Sequence, residues 1–273
     1  MFSKNWIAPI TTLALIGTLA CGGGSDDGAA PAKPAADSSH ATESSAPATS
    51  APTSNAAPGA MGSASVSGSI RFEGDVPKLR PLKMDADPGC AKKHSDEVMP
   101  EVLVLGDNSE LANVYVRVSA GLAAGSYAAP TEAVTLDQDG CQYTPHVVAL
   151  VAGQKFKVLN SDGLLHNVHG LGKLNPTFNR AMPAAVKEAE YQFDKEEVFK
   201  IKCDVHPWMG AWVAVSSHPF FDVTEKDGQF EIANLPAGDY TIEAWHERLG
   251  TKSAQVSLAD GGNAQTDFVF AVN

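Results

Sequence analysis

The run VFKIKCDVHPWMGAWVAV, residues 198–215, constrains this chain more than any other stretch. Apolar residues alternate on both sides of it, and alternation places positions i and i+2 on one face of an extended strand. The run therefore predicts a strand, a tight loop and a second strand. The loop compresses Cys203, His206 and Met209 into a few residues. A thiolate, an imidazole and a thioether are three of the four donors of a trigonal copper site with a long axial methionine. A second imidazole is available upstream in LLHNVHG, from His166 or His169. The two lie three residues apart, so on a strand they point to opposite faces and only one can meet the loop.

The rest of the chain reads as all-β. Gly, Pro and short Val/Ile/Phe-rich runs recur at close intervals, and no long helical periodicity is present. Order is expected to begin near Val66, with ASVSGSIRFEG as the first strand. Residues 75–100 are rich in Pro, Lys and Asp and predict a loop excursion with room for one helical turn. LANVYVRVSAGL predicts another strand, and residues 132–163 three short ones. From residue 217 short alternating strands are joined by DG, PAG and GG turns. The expected division is a metal-binding sandwich over 66–216 with an inserted loop, and a small β-sandwich over 217–273 packed against it.

Residues 1–20 carry Lys4 and then an apolar stretch from Ile7 to Ala20, the layout of a secretory signal and too short for a comfortable membrane span. Residues 21–65 are almost wholly Gly, Ala, Ser, Thr, Pro and Asp, a composition that predicts a disordered tether. TLAC followed by GGGSDD resembles a bacterial lipoprotein signal, which implies that Cys21 is lipidated. Gly22 after it implies the outer membrane, with the folded part on the periplasmic side. The net charge of −12 argues against nucleic acid as a partner. An exported chain meets an oxidising compartment. That favours a Cys90–Cys141 disulfide tying the inserted loop to CQYTPHV, with a second metal site from Cys90, His94, Cys141 and His146 as the alternative. Cys203 then remains a free thiolate.

LLHNVHG followed by KCDVHPWM resembles the amicyanin type of cupredoxin, whose corresponding segments are PHNVHF and HCTPHPFM. The resemblance implies a Greek-key β-sandwich holding one type 1 copper ion. It implies His166, Cys203, His206 and Met209 as ligands, with His169 left out. It also implies that Asn167 braces the loop by hydrogen bonding near the cysteine. Asp204-Val205 and Trp208 depart from the family pattern. The expected activity is single-electron transfer with a redox partner such as a c-type cytochrome or a dehydrogenase, through a His206 near the surface. The alternative is copper binding, storage or delivery without electron traffic. An enzyme is not expected, because four protein donors leave no position for substrate. GQFEIANLPAGDYTIEAWHERLG resembles the carboxypeptidase regulatory-like, or transthyretin-like, sandwich. This implies a structural or adhesive module in which His218 and His246 only pack.

Overall fold

The computed structural model describes residues 59–272, so the expected signal, Cys21 and nearly all of the tether lie outside the described residues. The chain runs through β1 (Ala64–Glu73), a single helical turn α1 (Pro88–Ala91) and β2 (Tyr115–Ala120). Nine strands follow: β3 (Val134–Asp139), β4 (Gln142–Thr144), β5 (Val147–Val151), β6 (Lys155–Asn160), β7 (His166–Gly170), β8 (Phe178–Met182), β9 (Glu188–Gln192), β10 (Glu197–Lys202) and β11 (Gly210–Ser216). Six more close the chain: β12 (Phe221–Val223), β13 (Gln229–Leu235), β14 (Gly238–His246), β15 (Gly250–Leu258), β16 (Asn263–Gln265) and β17 (Phe268–Ala271). The all-β class expected from the sequence is borne out.

The middle strands form one sandwich. A five-stranded sheet in the order β5-β11-β10-β7-β8 faces a four-stranded sheet in the order β4-β3-β6-β9. Between them lie Leu136, Phe156, Val158, Val168, Phe199, Ile201 and Val213, all buried. β5–β11 and β3–β6 pair in parallel while their other neighbours are antiparallel, so the chain crosses between sheets rather than meandering.

The second sandwich departs from the expected division. β1 does not open the sandwich that carries β10 and β11. It pairs antiparallel with β13 and parallel with β16 and β17. β2 likewise lies between β12 and β14. This sandwich is therefore closed by strands from both ends of the described chain, and residues 217–273 do not complete it alone. The physical reason is core size: a few short C-terminal strands offer too little apolar surface to bury. β1 contributes a strictly alternating inner face of Ala64, Val66, Gly68, Ile70 and Phe72. At Gly68 a Cβ atom would stand 1.7 Å from the Thr266 carbonyl oxygen, so only glycine lets the strands close there. Tyr115, Val147 and Ala214 pack together where the sandwiches meet, with Trp212 and Trp245 edge to face at 5.2 Å.

Candidate metal centre

β10 and β11 pair in register down to Lys202 opposite Gly210, so residues 203–209 form the loop closing that hairpin. β7 lies on the other side of β10, with His169 opposite Lys202. This register carries His166 beyond the end of β10, beside the loop. Strand parity then separates the two histidines. His166 is fully buried, whereas the His169 side chain faces outward and meets Asp204 at 2.9 Å.

The loop is turned onto itself by two backbone bonds. Cys203 N–H donates to the Met209 carbonyl at 3.2 Å, and Met209 N–H donates to the His206 carbonyl at 2.9 Å. His206 N–H donates to Cys203 Sγ at 3.3 Å. Asn167 Oδ1 accepts from Asp204 N–H, and Tyr143 Oη donates to the Asn167 carbonyl, so Asn167 ties β7 to the loop beside the cysteine. Ligand atoms of His166, Cys203 and His206 all lie within 4.8 Å of one another. Met209 is buried in the same core cluster as Cys203.

The electrostatics favour a thiolate. Burial alone raises the Cys203 pKa, but the His166 side chain and the backbone N–H groups of Asn167, His206 and Val205 outweigh it and hold the thiol below its ordinary value. Burial also opposes a charge on His166, yet Asp162 and Cys203 push its pKa up to about 9. Asp162 is held down at about 2, since its bonds from His166, Lys93 and Cys141 N–H outweigh the cost of burying it.

Both imidazoles are held by their outer nitrogens. His166 Nε2 lies 2.8 Å from Asp162 Oδ2, and His206 Nε2 lies 3.0 Å from Asp87 Oδ2. An ionised carboxylate only accepts, so each Nε2 carries the proton and each Nδ1 turns its lone pair inward. The two Nδ1 atoms face each other at 2.9 Å, with Cys203 Sγ 3.9 Å from His206 Nδ1. Two inward lone pairs at that separation repel unless a cation or a proton lies between them. The raised pKa of His166 supplies that proton, which a bound metal would displace.

One feature differs from the expectation, while the expected disulfide is present. His206 is only 2% exposed instead of lying near the surface. The segment around α1 covers it, bringing Asp87 and Cys90 Sγ, the latter 3.6 Å from His206 Nε2. Cys90 and Cys141 form a disulfide, and the other residues of the alternative metal site are engaged elsewhere, His94 with the Gly140 carbonyl and His146 with Glu247. Asp87 and Asp162 were missed as supports. Their only sequence signals are Asp-Pro-Gly, the cap and first turn of α1, and an aspartate four residues before His166.

A cleft of about 500 Å³ opens beside the loop, lined by Tyr143, Cys203, Pro207, Trp208 and Met209. Lys200, Lys202, Glu101 and Glu247 stand around it. Trp208 packs against the His206 ring at 5.0 Å and donates Nε1–H to the Cys141 carbonyl at 3.1 Å.

No protein-family model matches the chain, and no curated protein matches its sequence. Among solved structures it is similar to a copper-containing nitrite reductase from Thermus scotoductus SA-01, with 20% identity over 35% of this chain and a TM-score of 0.29. A purple cupredoxin from Nitrosopumilus maritimus is matched over 30% of this chain and 99% of its own, at 22% identity and a TM-score of 0.27. A Cu(I) form of a single-site amicyanin mutant is matched over 31% of this chain and 82% of its own, at 19% identity and a TM-score of 0.28. The chain spans only 25% of the nitrite reductase's length.

Proposed function

We propose that this chain binds one copper ion of type 1 character through His166, Cys203, His206 and Met209 and transfers single electrons. The observation that carries this reading is the pair of inward Nδ1 atoms 2.9 Å apart beside a cysteine held toward its thiolate. With both outer nitrogens already bonded, the inner ones are left facing each other to share a proton or, in its place, a metal cation. Bound there, copper would cycle between its two oxidation states in a ligand set that suits both. The protein's part is to keep the donors fixed: two hairpin strands set the loop, Asn167 ties it to β7, and the carboxylates fix the ring orientations. Four protein donors leave no position for substrate, which favours a carrier over an enzyme.

The covered His206 moves the expected exit. Pro207 and Trp208 carry the loop's side of the cleft out to solvent, and a redox partner such as a c-type cytochrome or a dehydrogenase would approach there. The same opening beside two sulfur donors favours copper delivery as the second reading. Lipid attachment at Cys21, an outer-membrane position on the periplasmic side and a structural role for the C-terminal strands complete the proposal.

Adding Cu(II) to the purified mature chain tests it. An intense visible charge-transfer band that bleaches reversibly on reduction and is absent in Cys203→Ser supports electron transfer. Absence of that band in the wild-type chain refutes it, and tight Cu(I) binding with no stable Cu(II) form selects storage or delivery.

A further inference from the structure

The segment between β1 and β2 reads as an insertion, yet it delivers a carboxylate to the metal centre. Asp87 caps α1, and its Oδ1 accepts from Gly89 N–H at 2.7 Å while Oδ2 meets His206 Nε2 at 3.0 Å. One residue beyond Gly89, Cys90 is fully buried and bonded to Cys141. Cys141 in turn holds three supports of the site. Its N–H donates to Asp162, the partner of His166, its carbonyl accepts from Trp208, and its sulfur anchors the element carrying Asp87. It occupies a two-residue hairpin turn after Gly140, both with positive φ, of 61° and 53°.

Resting on the copper reading above, we infer that Asp87 is a positioning residue for His206, held in place by the Cys90–Cys141 disulfide, and that it lowers the reduction potential of the centre. The sign follows from charge. A carboxylate on the outer nitrogen makes the imidazole a stronger donor and places a negative charge beside the metal, and both favour the dication over the monocation. His166 has the equivalent partner in Asp162 from its own turn, so the inserted segment makes the two imidazoles alike.

The Asp162 side chain is fully buried and bonded on several sides, whereas the Asp87 side chain is 37% exposed, so Asp87 is the position to vary without endangering the fold. In Asp87→Asn the acceptor stays and the charge goes. We expect the preference for Cu(II) over Cu(I) to fall about tenfold, which raises the one-electron potential by about 59 mV. Cys90→Ser/Cys141→Ser, which frees the segment, moves the potential the same way. In metal-free Asp87→Ala, the ¹⁵N shifts of His206 change from a single tautomer with the proton on Nε2 to a mixture. An unmoved potential in Asp87→Asn with the visible band intact overturns the inference, and so does an unchanged His206 tautomer in Asp87→Ala. A wild-type chain without the visible band refutes the copper reading and the potential claim together, while the metal-free tautomer still decides whether Asp87 positions His206.

Discussion

Each sandwich buries a histidine, and the two behave in opposite ways. His246, at the end of β14, is 1% exposed and packs near the Phe270 ring, with Nε2 unpartnered. Burial pushes its pKa down to about 4, so it is a neutral packing residue. His166 is equally buried, yet its pKa is pushed up to about 9 by a carboxylate and a sulfur. Burial by itself therefore says nothing about function. What marks a prepared site is a buried imidazole whose outer nitrogen is already fixed and whose inner nitrogen faces other donors.

The largest effect expected to separate the sandwiches comes from the cysteine. Cys203→Ser should abolish the visible band altogether while leaving the far-ultraviolet circular dichroism unchanged. A variant that keeps the band would break the assignment of the sandwich around β10 and β11 as the metal-binding one. The converse change is Phe72→Ala in β1, whose side chain is 3% exposed in the other core. Denaturant titration should show a loss of about 3–5 kcal/mol. The band of the remaining folded protein should keep its position and intensity, because Phe72 belongs to the core cluster remote from the ligands. A shifted band would show that the two cores are coupled.

These contrasts were partly legible in the sequence. The alternation in β1 is visible residue by residue, and the loop from Cys203 to Met209 is local, so both could be read directly. The partner of β1 could not. Period-two patterning fixes which face is buried but not which strand lies alongside, and β1 pairs with strands almost two hundred residues away. His166 was distinguished from His169 by parity together with family resemblance, and the structure separates them through burial. The cover over His206 was not legible, since Asp87 is 119 residues from it in the chain and an aspartate before proline is an ordinary turn signal. The domain division failed for the same reason: strand partnership is a long-range property.

The pH dependence of stability offers a finer test of the two histidines. His246 has a folded pKa near 4, below its ordinary value of 6.5, so between those values the unfolded chain binds the extra proton. Its contribution is complete above about pH 6.5 and is lost as pH falls toward 4, amounting to about 3 kcal/mol. Denaturant titrations from pH 7 to pH 4 on His246→Phe should show a shallower acid loss than the wild type. Equal slopes would mean that His246 is protonated in the fold and is not the neutral packing residue described.

The smallest effect is expected at His169, and it sharpens the distinction within β7. The side chain is 26% exposed and its one close carboxylate, Asp204, is also held by Lys202 and Asn179. Lys202 is the first cause of the lowered Asp204 pKa, so the carboxylate stays ionised without the histidine. Solvent screens an exposed pair of this kind, so its contribution is small. His169→Ala should therefore change the denaturant midpoint little and leave the visible band in place, whereas His166→Ala should remove the band. If His169→Ala bleaches the band and His166→Ala does not, the parity of β7 is reversed and the ligand assignment with it.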